Sequence, residues 1–235
     1  MRVLITRPRA AALTLARALE ARGHEVLVEP LLTIEPIDGV VPDQAGVQAI
    51  VLTSGHAVAA LAAIDPRLPV FAVGAATAAA ARRAGRSDVR AGGGDAGRLA
   101  RLIARQCRPA AGPLLHLSGT EVRPALADGL AAAGFTLRRQ AVYRAHAALR
   151  LSPPVIDALA RRSVGAVLLF SPRSARILAQ LLEAHGLTDC LEQTGAICLS
   201  AAVARPCRHL GWRELRVAER PEVALAVAQL EGHER

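Results

Sequence analysis

Six times along this chain, a short apolar run passes through one or two small or hydroxyl-bearing residues into a stretch with helical spacing. The clearest case is Ala166–Arg176, AVLLFSPRSAR. Ala166–Phe170 is apolar and rich in branched side chains, the pattern of a strand buried on both faces of a parallel sheet. Ser171-Pro172 follows at once. Serine accepts hydrogen bonds from the first free amides of a helix, and proline fits the first helical position because its missing N–H has no partner there to lose. Ile177, Leu178, Leu181 and Leu182 then recur at helical spacing. The same unit stands at Val3–Ala11, Ala49–Val58, Val70–Ala78, Leu114–Val122 and Ile197–Ala204. Repeated strand-to-helix turns predict an α/β fold on parallel sheets. They also predict where a ligand goes. Open α/β sheets bind at the carboxyl ends of their strands, where helix N-termini offer free amides and partial positive charge.

Two pairs of segments look like copies. Val73–Ile103 and Leu199–Leu230 each run turn, Ala-rich helix, Gly, short strand, helix. Ile5–Val26 resembles Leu117–Leu137. The copies are not in tandem order: the opening unit matches one late in the middle of the chain. This order is expected if residues 1–36 and 147–235 form one discontinuous domain and residues 37–146 form a similar, inserted one. Two extended tracts would carry the chain across. Leu31–Pro36 is bracketed by prolines, which discourage helix, and Gln140–His146 is the second. Other expected strands include Phe135–Arg138, and other expected helices include His56–Ala63 and Glu222–Leu230.

The net charge is +9, and all 29 basic residues are Arg. The absence of Lys excludes a lysine Schiff base, and the excess charge suits an acidic partner. Nucleic acid is not expected, because the chain offers one Trp, one Tyr and three Phe for stacking and no basic run. No stretch approaches the roughly 20 apolar residues that span a bilayer, and Arg7, Arg9 and Arg17 interrupt any leader-like run. A cytoplasmic protein without a membrane partner is the expectation. Cys107, Cys190, Cys198 and Cys207 have no Cys-x-x-Cys or zinc spacing and read as reduced packing residues.

The words TRP near the N-terminus, PLLTIEP, VLTSGHAV, FAVGAATA, LSG followed by Arg123, AVYRA and LLFSPRSA occur in one order over nearly the whole chain. This ordered set resembles the uroporphyrinogen-III synthase family. The resemblance implies two similar flavodoxin-like α/β domains joined by a two-stranded connection. It implies closure of hydroxymethylbilane to uroporphyrinogen III, with loss of water and inversion of the last pyrrole ring, by a monomer without cofactor or metal. The substrate is a linear tetrapyrrole with eight carboxylates, for which amide-rich turns and Arg side chains are suited. Carried over by position, the candidate binding residues are Arg7; Thr53, Ser54 and Gly55; Val73, Gly74 and Thr77; Ser118, Gly119 and Arg123; Ser171, Pro172 and Ser174; and Ser200, Ala201, Ala202 and Val203. Tyr143 is the catalytic candidate, placed to donate a hydrogen bond to the departing hydroxyl. One departure stands out. The last turn reads Ser200-Ala201-Ala202-Val203 where the family has Gly-x-x-Thr, so Val203 supplies no hydroxyl. The competing reading is a two-domain binding protein that closes on a small anionic ligand.

Other residues carry less. His56 reads as a surface or capping residue, and no histidine pairs with a Cys or carboxylate at ligand spacing. Gly92-Gly93-Gly94-Asp95 lacks the Gly-Lys-Ser/Thr ending of a phosphate loop and reads as a flexible approach to a helix capped by Asp95. Ser118–Arg123 reads as a ligand loop.

Overall fold

The six apolar runs become six inner strands of two sheets. The structure, a computed structural model, describes residues 1–220 and 222–230. The chain opens with β1 (Arg2–Ile5), α1 (Arg9–Glu20), β2 (Glu25–Val28) and β3 (Leu32–Pro36). It continues with β4 (Ala49–Leu52), a 3-10 helix over Gly55–Ala63, β5 (Val70–Ala72), α2 (Ala75–Arg83), β6 (Val89–Ala91) and α3 (Ala96–Gln106). Next come β7 (Leu114–Gly119), α4 (Ala125–Ala132), β8 (Leu137–Ala147), α5 (Pro153–Ala160), β9 (Ala166–Leu169) and α6 (Pro172–Ala184). The last elements are β10 (Gly195–Cys198), α7 (Ala201–Ala204), β11 (Glu214–Val217) and α8 (Val223–Ala228).

One sheet has the order β11-β10-β9-β1-β2 and the other β3-β8-β7-β4-β5-β6. The inner strands β9, β10, β4, β5 and β7 are buried at every residue, while the outer β2 and β11 have no buried residue. That contrast is why the inner runs are apolar nearly throughout, β7 with its buried His116 and Ser118 excepted. Each sheet has a core on both faces, because successive side chains point to opposite sides. In the first sheet, Leu4, Val167, Leu169 and Cys198 share one core, and Val3, Ile5, Leu168 and Ile197 share the other. In the second, Ile50, Leu52, Leu115 and Leu117 oppose Ala49, Val51, Phe71 and Leu114. Helix α1 meets its sheet through Ala12, Leu15, Ala16 and Leu19, one helical stripe. Truncating the fully buried Leu19 to Ala would cost about 2–5 kcal/mol.

The chain forms two compact units, Met1–Thr33 with His146–Arg235 and Ile34–Ala145. Both crossings fall inside neighbouring strands, β3 and β8. The Ile37 amide donates to the Val142 carbonyl and the Ala148 amide to the Leu31 carbonyl, each at 3.0 Å. Partner numbers rise along one strand as they fall along the other, so the two run antiparallel. Numbered within its own unit, the first sheet has order 2-1-3-4-5, the flavodoxin arrangement. The second has β8-β7-β4-β5-β6, which is the same spatial order with the first two strands moved to the end of the chain. The two units are therefore circular permutations of one another, which accounts for copies that are out of tandem order.

Three local expectations change. Gln140–His146 is not a separate tract from Phe135–Arg138. A single strand, β8, runs from Leu137 and pairs with β7, while Phe135 lies before it and is buried. Gly55–Ala63 is a 3-10 helix. Ser54 there takes the amide of His56, two residues on, so the first turn starts tight. Its far end is capped by Arg86, whose guanidinium donates to the carbonyls of Asp65, Leu61 and Ile64. The Gly92–Gly94 stretch is not loose. The Gly92 amide donates to Ala72 and that of Gly94 to Val73, and a Cβ on Gly92 would lie 2.7 Å from the Cα of Leu99. Asp95 does cap α3, accepting from the Arg98 amide at 2.7 Å. All four cysteines are free, Cys198 and Cys207 buried and the other two half-buried. Among the described residues no helix is long and apolar enough to cross a membrane.

Candidate functional site

At the carboxyl ends of β4, β5 and β7, which are neighbours in the second sheet, three strand-to-helix turns stand side by side. They enclose a cavity of about 430 Å³. Thr53 and Ser54 follow β4, Val73 follows β5, Gly119 ends β7, and Arg123 lies on the loop before α4; all five line the cavity with Tyr143 of β8. Six of the expected site residues thus meet in one place, within the second unit.

Tyr143 arrives there through a break in register. Along β7 and β8 the partners advance one for one from Leu114↔Leu137 to Ser118↔Ala141, and then Gly119 pairs with Tyr143. Val142 is the extra residue of a β-bulge. An unbroken register would pair Gly119 with Val142 and turn the tyrosine to the other face; the bulge turns it back. The ring then lies against Gly119, close to where a Cβ would be. It also meets the His56 ring edge-on, with centroids 5.7 Å apart. No described residue accepts a hydrogen bond from the Tyr143 hydroxyl, and none pairs with the Arg123 guanidinium. Both groups are available to a ligand.

Four expected residues of this unit are not among those lining the cavity. Gly55 is exposed at the start of the 3-10 helix. Gly74 caps α2, where a Cβ would approach the Cα of Gly94 at 3.3 Å. Thr77 is buried within α2. Ser118 is a correction to the expected ligand loop: it and Gly119 belong to β7, and Ser118 is almost fully buried. Its hydroxyl donates to the Gly119 carbonyl and accepts from Arg139 Nε, so it is not free for a ligand.

The sequence reading missed His116. It lies in β7, lines the cavity, and holds its Nε2 2.9 Å from Thr53 Oγ1. Burial, helped by the positive charge of Arg139, lowers its pKa to about 4, so the ring is neutral at pH 7. The signal was a single polar residue in the otherwise apolar LLHL, but its partner is 63 positions away. Arg139 was missed too. Its guanidinium ties Ser118 Oγ to the carbonyls of Gly119 and Thr120, which braces the end of β7. Asp95 and Glu121 also line the cavity. Asp95 is engaged with Arg98, through both the amide and the guanidinium.

The remaining expected residues belong to the first unit, at the carboxyl ends of its own inner strands β1, β9 and β10. Arg7 stacks its guanidinium 4.7 Å above the Phe170 ring, and burial lowers its pKa. Ser171 caps α6, accepting from the Ser174 amide at 3.0 Å and donating to the Ser174 hydroxyl at 2.8 Å, with Pro172 in the first helical position. Ser200 precedes α7 without a side-chain cap, and Ala201 and Ala202 are exposed. Val203 is buried in a hydrophobic core. It therefore packs where a threonine hydroxyl would have to be satisfied.

Among the described residues, no group of three or more His, Cys, Asp or Glu stands together to hold a metal. A family model described as uroporphyrinogen-III synthase HemD matches residues 14–228. The solved uroporphyrinogen-III synthetase of Helicobacter pylori 26695 is similar over 99% of both chains, with TM-score 0.69 and 16% identity. A mutant uroporphyrinogen III synthase from the extremely thermophilic bacterium Thermus thermophilus is similar over 99% of this chain and 98% of its own, with TM-score 0.60 and 20% identity. Both likenesses show the fold. A comparison with curated proteins finds no match.

Proposed function

The chain belongs to the uroporphyrinogen-III synthase HemD family, and on that premise we propose that the cavity at the ends of β4, β5 and β7 is where it holds its tetrapyrrole. The enzyme is a lyase of haem biosynthesis. It closes hydroxymethylbilane to uroporphyrinogen III with loss of water and inversion of the terminal ring. The observation that carries the site reading is the bulge that turns Tyr143 onto Gly119 and into the cavity.

The chemistry asks little acid–base power of the protein. The bilane loses its hydroxyl readily, and a positioned phenol assists by donating to the departing oxygen. The harder task is to hold the chain so that the substituted carbon of the last ring is attacked, which is a matter of orientation. Eight substrate carboxylates give many handles for it. Arg123 has no carboxylate partner among the described residues and supplies a charged donor. The turns at Ser171 and Ser200 and the side chain of Arg7 are further carboxylate sites in this reading, and a monomer in the cytoplasm is the expected working form.

The experiment supplies hydroxymethylbilane and separates the type I and type III uroporphyrin isomers after oxidation. Type III product from the wild type, formed more slowly by Arg123→Ala and Tyr143→Phe, is the expected result. Variants that turn over like the wild type would move the site elsewhere.

A further inference from the structure

Thr53 and His116 meet across two neighbouring strands. Val51 pairs with His116, so Thr53, two residues on, points to the same side of the sheet. The hydroxyl sits 2.9 Å from the imidazole Nε2 and lines the cavity. On the other side of His116, its register partner is Arg139. That guanidinium is spent on Ser118 and on two carbonyls, and it remains beside the ring as a positive charge. The ring has one donor nitrogen and one acceptor nitrogen when neutral.

Two arrangements satisfy the contact. If Nε2 accepts, the Thr53 proton is consumed and only lone pairs of the hydroxyl face the cavity. A carboxylate is then repelled. If Nε2 carries the proton, it donates to Thr53 Oγ1, and the threonine proton is free to bond a ligand oxygen. We propose that His116 is a positioning residue for the reaction: its Nε2–H donates to Thr53 Oγ1 and so turns the Thr53 hydroxyl proton toward an oxygen of the bound tetrapyrrole. The inference rests on the reading of this cavity as the substrate site. It gives the buried histidine a role that packing alone does not require, since an apolar side chain would fill the same strand position without a polar atom to satisfy.

The test has two parts, both on the full-length protein. Ring nitrogen shifts and two-bond couplings of 15N-labelled enzyme at pH 7, with His116 identified by its loss in His116→Gln, report the tautomer. Protonated Nε2 is expected, and a ring protonated at Nδ1 overturns the proposal. In kinetics with hydroxymethylbilane, Thr53→Val and His116→Phe should each lower kcat/KM by roughly 5- to 50-fold, the loss of one oriented hydrogen bond. The double variant should be no slower than the slower single one, because both remove the same contact. His116→Gln, whose amide can donate from a similar place, should recover most of the rate. Effects that multiply, or a glutamine variant as slow as the phenylalanine one, overturn the proposal. Should His116→Phe fail to fold, Thr53→Val, His116→Gln and the tautomer decide. Arg123→Ala and Tyr143→Phe keep the two readings apart. If they slow turnover while the Thr53 and His116 effects multiply, only the positioning role falls. If they too are silent, the cavity is not the site.

Discussion

A Cβ placed on Gly119 would lie 2.7 Å from Cε2 of Tyr143 and 3.1 Å from its hydroxyl oxygen. The glycine is thus the seat of the tyrosine, and the bulge at Val142 brings the two together. Gly119→Ala should push the ring out of place. Overpacking of this kind costs about 1–3 kcal/mol, which lowers the melting temperature by about 2–4 °C for each kcal/mol in a chain of this size. Turnover should fall further than that stability loss accounts for. An alanine variant with normal kinetics would show that the ring position is immaterial.

Tyr143→Phe keeps the ring and its contact with Gly119 and removes only the hydroxyl. The melting temperature should hardly change. The rate should drop by about 10- to 1,000-fold, the range for losing one positioned donor. What turnover remains should still give the type III isomer, because ring inversion depends on how the cavity holds the bilane. A destabilised variant with an undiminished rate would make the tyrosine a packing residue.

Arg123→Ala should weaken binding of the product uroporphyrinogen by about 1–3 kcal/mol if the guanidinium makes a charged hydrogen bond. Wild-type affinity should also fall as salt rises, since exposed charges are screened over about 8–10 Å at moderate ionic strength. Titrations at two salt concentrations, in wild type and variant, check both. Affinity that ignores salt and the substitution alike would remove Arg123 from the site.

His116 ties stability to pH. Its folded pKa, about 4, lies below the ordinary value of 6.5 because burial and Arg139 disfavour the charged ring, so the unfolded chain binds more protons in this window. Its contribution is complete above pH 6.5 and is lost as pH falls toward 4. The loss amounts to about 3 kcal/mol for a ring that is 4% exposed. Carboxylates in general titrate in the same range. The measurable quantity is therefore the difference between wild type and His116→Gln in denaturant unfolding at pH 7 and pH 4.5. The glutamine variant should lose less stability between the two; equal losses would show that His116 titrates normally.

Residues 34–145 carry β4 to β7 whole and most of β8, with cores on both faces of that sheet. Expressed alone, this segment should melt cooperatively, and residues 1–33 or 146–230 alone should not, because β1 pairs with β9 from the far part of the chain. Circular dichroism on the three fragments checks it; a disordered middle fragment would count against its autonomy.

By itself, the sequence determined most of the strands, the helix starts at Ser171 and Asp95, and the repeat that is out of tandem order. These follow from local patterns: unbroken apolar runs for strands buried on both faces, Ser171-Pro172 and Asp95 for caps, and matching segments for matching units. The ordered words also pointed to the family. What only the tertiary structure decided lies between strands. Ser118 stood among the candidates that the resemblance carried over, but Arg139 reaches across from β8 and takes its hydroxyl. Val203 looked like a damaged ligand residue and is a core residue. His116 looked like one more scattered histidine until β4 placed Thr53 beside it. Tyr143 entered as a candidate through the resemblance, and its orientation depends on one extra residue in the pairing of β8 with β7. Helix and strand periods are written in consecutive residues, whereas register, bulges and cross-strand hydrogen bonds depend on which distant segments come to lie side by side.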